Sequence, residues 1–167
     1  MPLNKVRAFL DQHHTKYVVI SHSKAYTAQG VAAVTHIPGQ ELAKTVIVKL
    51  DGALAMAVLP ASYQVDLPAI KKATGVSEAV IATEREFKQH FPDCETGAMP
   101  PFGNLYGLPV YADESLTRDV EIAFNAGSHL ELIQMSCADF VNLVKPLVLK
   151  FSTRHPGPFD REPALML

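Results

Sequence analysis

Residues 42–59, LAKTVIVKLDGALAMAVL, confine this chain more than any other stretch. Two apolar runs rich in strand formers, 43–50 and 53–59, flank Asp51-Gly52, and Asp-Gly between such runs favours a tight hairpin turn. The stretch predicts two antiparallel strands. Lys49 and Asp51 interrupt it, so no apolar run reaches the length of about eighteen residues that a membrane-spanning helix needs. Near its start stands a charge, Lys44. Lysine is almost never fully buried without a partner, because an uncompensated ammonium in apolar surroundings is costly.

Other segments carry their own signals. Leu3, Val6 and Leu10, with Phe9, recur at helical spacing and predict an amphipathic helix ending near His14, followed by a strand at 17–21. Thr27 is placed to cap a helix through 28–37, which Pro38-Gly39 stops. Asp66 with Pro68 opens a short helix that Gly75 closes, and Thr83 with Glu86 forms a capping box for a helix that Pro92 ends. The run 93–107, DCETGAMPPFGNLYG, has no period and is expected as a loop. Strands follow at 108–113, 120–127 and 129–136, the last two joined by a tight turn at Ala126, Gly127 and Ser128. Ser136 and Asp139 open a final helix, and 147–151 closes the sheet. Helix and strand do not alternate strictly. The pattern predicts a single α/β domain over 1–151, with a mixed, mostly antiparallel, curved and barrel-like sheet and several short surrounding helices. Residues 152–167, with three prolines and little period, are expected as a tail or a segment lying on a neighbouring surface.

Charge and composition narrow the function. Fifteen Lys and Arg against seventeen Asp and Glu leave the chain near neutral, without the basic excess of a protein that grips long nucleic acid. Lys44, Lys49, Lys71 and Lys72 can form a local basic patch or simply a solvated face. The N-terminus carries Lys5, Arg7 and Asp11 inside its apolar pattern and does not resemble a secretory signal, so a cytoplasmic protein is expected. Cys94 and Cys137 lack CxxC spacing and are expected as ordinary thiols of a reducing compartment. Glycine-rich phosphate loops are absent, no serine sits in a G-x-S-x-G elbow, and the seven histidines show no metal spacing. No cofactor and no metal are expected.

Three constellations remain. Lys44 leads the face of its strand shared by Val46, Val48 and Leu50, where it either snorkels to water or waits at a pocket rim for a phosphate or carboxylate. Gly97 to Gly103, GAMPPFG, is a rigid arch between glycine hinges, carrying Met99 and Phe102, large apolar groups that a plain surface loop does not need. Asn125 to His129, NAGSH, is a turn that either aims successive backbone N–H groups at one oxygen or serves only as a hairpin turn.

In that order and separation, LAKTVIVKL, GAMPPFG and EIAFNAGSH resemble the YbaK and prolyl-tRNA-synthetase-associated editing family, over about Tyr17 to Phe151. The resemblance implies a compact domain that hydrolyses the ester of a mischarged aminoacyl-tRNA, here as a free-standing, trans-acting deacylase. The implied partners are the acceptor 3′ end of aminoacyl-tRNA and, as a further possibility, an aminoacyl-tRNA synthetase, with no membrane. The family's lysine falls on Lys44, its Gly-x-x-x-Pro loop on Gly97 to Pro101 and its substrate-side turn on Asn125 to His129. Candidate catalytic residues are thus Lys44, Gly127 and Ser128. Candidate substrate-binding residues are Thr45, Gly97, Met99, Pro100, Pro101, Phe102, Asn125 and His129. Lys44 is expected to hold the terminal nucleotide through its phosphate, with the Gly97 and Gly127 backbones near the carbonyl and Met99 and Phe102 shaping the amino-acid pocket. Small aminoacyl groups such as alanyl, seryl, threonyl or cysteinyl are the expected targets. The other classes are a non-catalytic module that binds an aminoacyl-nucleotide or tRNA 3′ end, and a partner protein that tethers tRNA to a synthetase.

Overall fold

The hairpin organises the molecule. In a computed structural model, which describes residues 2–22, 37 and 41–154, β2 (Ala43–Leu50) and β3 (Ala53–Pro60) pair antiparallel from Leu50–Ala53 to Ala43–Pro60. Asp51 and Gly52 take φ of 50° and 84°, the double positive φ that matches the twist of the flanking strands. The Asp51 carboxylate accepts from the Ser77 and Glu78 N–H groups at 2.9 and 2.8 Å, which ties the turn to the segment ahead of β5 (Ala79–Ile81).

Around this hairpin the strand order is β5-β2-β3-β6-β9, where β6 is Val110–Asp113 and β9 is Leu147–Leu149. β6 and β9 join in parallel and the other ladders of the structure are antiparallel, as expected for a mixed, mostly antiparallel fold. The sheet does not close into a barrel. Parallel addition of β6 and β9 through crossovers leaves β5 and β9 as edges. A second sheet runs β1-β8-β7, from Tyr17–Ser21, Glu131–Ser136 and Glu121–Asn125. β4 (Tyr63–Val65) pairs with β10 (Ser152–Arg154), so pairing continues beyond the boundary expected at Phe151. Residues 155–167, like the helix expected at 28–36, lie outside the described residues.

The β2–β3 hairpin is buried on both faces, which is why it is apolar almost without alternation. One face, with Ala43, Ile47, Met56 and Val58, meets Ile122, Phe124, Ile133 and Met135 of the second sheet in the main core. Val6 and Leu10 of α1 (Pro2–Gln12) and Phe140 and Val144 of α4 (Cys137–Val144) complete that core. The opposite face, with Val46, Val48, Ala57 and Leu59, packs against Phe151 and Ile70 of α2 (Leu67–Thr74). The caps are those the sequence signals: Asp66 accepts from Ala69 N–H at 3.1 Å, and Gly75 ends α2 at φ 78°. Thr83 and Glu86 close the capping box of α3 (Glu84–Phe87), and Lys49 with Thr83 draws the Glu86 carboxyl down to about 2. Among the described residues no helix is long and apolar enough to cross a membrane.

Candidate active site

Lys44 is the second residue of β2 and is 1% exposed. Alternation along the strand sets it on the face of Leu42 and Val46, away from Ala43 and Ile47, which enter the main core. Leu42 belongs to a small cluster with Ile37, Ala61, Ala123 and Leu132, and Val46 to the cluster under α2. Lys44 therefore occupies the seam between two apolar clusters. Thr45, 6% exposed, points the other way.

The two sheets meet beside this lysine. Leu42 bridges Ala123 of β7 in parallel, and Ala123 N–H donates to the Glu41 carbonyl at 2.9 Å. From that single bridge, alternation along each strand sets Lys44 and Asn125, each two residues on, on the same face. Packing agrees with the phase: Leu42 and Ala123 share the small cluster, Ala43 and Phe124 share the main core, and the next pair returns to the first face. Asn125 is 3% exposed, and neither its Oδ1 nor its Nδ2 has a hydrogen-bond partner among the described residues.

Arch and turn are held together by direct hydrogen bonds. Gly127, at φ 105°, donates its N–H to the Ala98 carbonyl at 2.8 Å, and its carbonyl accepts from Glu95 N–H at 2.8 Å. His129, buried, donates its N–H to the Glu95 carboxylate at 2.7 Å. Its Nε2 lies 2.7 Å from the Thr96 carbonyl, which only accepts, so Nε2 carries the proton of that bond. Neither Lys44 nor His129 is without a partner. Glu95 and Thr96 were not among the expected site residues. Their only signal was position, immediately before Gly97 in an aperiodic run, and a polar pair in a loop looks like ordinary solvation.

The arch, Phe102 and the turn each take a definite setting. The arch is not a surface loop: Gly97 through Gly103 are all buried. Phe102 anchors the arch in the main core, its ring centroid 6.0 Å from Phe9, 5.4 Å from Phe124 and 5.7 Å from Phe140. In the turn, the N–H groups of Gly127, His129 and Leu130 are engaged by Ala98, Glu95 and the Ser128 hydroxyl, so these three do not converge on one further oxygen. Met99 is 5% exposed and borders a cavity of about 440 Å³ together with Phe87, Lys88, Phe91, Cys94 and Thr96. Burial pushes the Cys94 thiol up to about 11, and the Tyr106 hydroxyl beside it is raised for the same reason.

A family model for the aminoacyl-tRNA editing domain matches residues 22–143, a span that holds Lys44, the arch and the turn. The chain belongs to the aminoacyl-tRNA editing domain family. Within this editing family, the Multifunctional Ser/Thr-tRNA deacylase ProXp-y of Escherichia coli K12 is 28% identical over 149 residues, covering 86% of this chain and 89% of that protein. Solved structures give the same fold. A hypothetical protein superposes with a TM-score of 0.80 at 18% identity, covering 89% of this chain and 99% of its own. A candidate trans-editing enzyme for prolyl-tRNA synthetase superposes at 0.77 with 20% identity, covering 91% of this chain and 97% of its own. The matched span holds three separated motifs, of which the arch and the turn are hydrogen-bonded to each other and Leu42, just ahead of the Lys44 strand, bridges the strand that leads into the turn.

Proposed function

We propose that this protein is a free-standing aminoacyl-tRNA deacylase that hydrolyses the ester between a small amino acid and the 3′ end of a mischarged tRNA, in the cytoplasm where tRNA is charged. The observation that carries it is Lys44, a buried lysine at a seam of apolar clusters, two residues past the Leu42 bridge to the strand whose turn is bonded to the arch. A cation so placed is suited to an anionic ligand, and a phosphate of the terminal nucleotide supplies one. Family membership supports the substrate class, and ProXp-y, a Ser/Thr-tRNA deacylase matched over 89% of its length, supports seryl and threonyl groups first among the small ones.

The reaction asks little of side-chain bases. An aminoacyl ester is already activated and its ribose carries a neighbouring hydroxyl, so holding the ester beside a water and stabilising the developing oxyanion suffice. Lys44 binds the 3′ end, while the arch and the turn wall the aminoacyl group. Selectivity by size is modest, about 1 to 3 kcal/mol per methylene in an apolar pocket, which suits a protein that clears several small residues.

Purified protein is offered a panel of tRNAs charged with serine, threonine, alanine, cysteine and larger residues. Hydrolysis of one or more small aminoacyl-tRNAs, lost by roughly 100-fold or more in Lys44→Ala with an unchanged circular-dichroism spectrum, is expected for an anchoring charge-assisted contact. Absence of turnover across the panel, with retained binding of the acceptor end, would make the protein a binding module instead.

A further inference from the structure

We propose that the Asn125 carboxamide donates the hydrogen bond that stabilises the ester carbonyl oxygen as it becomes an oxyanion. The inference rests on the deacylase reading above and assigns Asn125 a role in it. Asn125 ends β7, paired with Leu132 of β8, so its backbone is fixed by the sheet rather than by a loop. Its side chain is 97% buried in effect, with 3% of its surface exposed, and both amide atoms lack a protein partner among the described residues. A buried amide without partners is costly, and a site that keeps one has a ligand to satisfy it. The register argument sets that amide on the face of Lys44.

The N–H groups of Gly127, His129 and Leu130 already have acceptors and do not take this part. Those bonds instead brace the strand end that carries Asn125. A neutral carboxamide adds no charge beside Lys44. Its Nδ2 donates to the carbonyl oxygen, and its Oδ1 accepts from the same ligand, which offers an α-ammonium and a ribose hydroxyl on either side of the ester.

Water adds to the carbonyl carbon, and the carbonyl π pair moves onto oxygen, where Nδ2 meets it. The tetrahedral adduct collapses with cleavage of the bond to the ribose oxygen. One water proton ends on that departing oxygen, and the other leaves the new carboxyl group to solvent. The products are the free amino acid and tRNA with its terminal hydroxyl restored.

The test is Asn125→Leu, with the same branched heavy-atom skeleton and no polar atoms, assayed for kcat, KM and thermal midpoint on the aminoacyl-tRNA that the parent protein hydrolyses. Expected is a kcat lower by roughly 100- to 1000-fold, KM within about threefold, and a thermal midpoint equal to or above that of the parent. Activity within tenfold of the parent, or a kcat loss accompanied by a lowered midpoint, would overturn the proposal. Should Asn125→Leu not fold, Asn125→Ser and Asn125→Ala decide: the serine, which keeps a donor, is expected to retain at least tenfold more kcat, and equal rates for the two would overturn it. A parent protein that turns over no aminoacyl-tRNA brings down both readings, whereas an active parent with an active leucine variant brings down only this one.

Discussion

At the residue scale, burial separates thiols that react from thiols that pack. Cys94 sits beside Tyr106 and Asp93, and its pKa is raised to about 11 chiefly by burial. A group protonated more tightly in the folded state stabilises it at low pH, and that contribution is lost as pH rises from the unfolded thiol value of about 8.5 through 11. The same shift governs reactivity. At pH 8.5 the thiolate fraction is lower than that of an unperturbed cysteine by roughly 100-fold, partly offset by the greater nucleophilicity of a more basic thiolate. Iodoacetamide should therefore label Cys94 about tenfold more slowly than the unfolded chain, read by peptide mass spectrometry, and labelling at the unfolded rate would contradict its placement. Lys44 announced itself in the sequence as a charge leading an apolar strand. Asn125 was marked only as the first residue of the turn and through the family resemblance, since asparagine before Ala-Gly-Ser is also what a plain turn uses.

At the element scale, the arch works as a buried strut. Its C-terminal end is Gly103, where an added Cβ would come within 2.5 Å of Val110 Cγ2 and 2.6 Å of the Leu108 carbonyl oxygen. The valine methyl can turn aside, but the backbone carbonyl cannot. Gly103→Ala is expected to destabilise the protein by roughly 1 to 3 kcal/mol in chemical denaturation, the usual range for overpacking. No change in midpoint would show that the loop from Gly103 to Leu108 yields. The three helices with cap signals in the described residues, α2, α3 and α4, were legible because caps are local hydrogen bonds between near neighbours. β4 and β5 were not: YQV and AVI are too short to show a period, and each is a strand only because β10 and β2 offer it a partner.

At the scale of the whole molecule, a net charge of −2 suits the proposed hold on only the acceptor end of a tRNA. The affinity for tRNA should fall only shallowly with salt, with fewer than about eight phosphate equivalents in the slope, and a steeper dependence would mean a larger interface. The amino-acid sequence by itself determined the central hairpin, the capped helices, the near-neutral charge and the three motifs whose order marks the family, because each is set by neighbours along the chain. Only the tertiary structure decided that the arch is buried, that Phe102 packs in the core, that the N–H groups of Gly127, His129 and Leu130 are engaged and that Leu42 bridges Ala123 where the two sheets touch. The reason is physical: burial and cross-sheet register depend on segments some eighty residues apart, such as Leu42 and Ala123, and no local pattern records where two sheets touch.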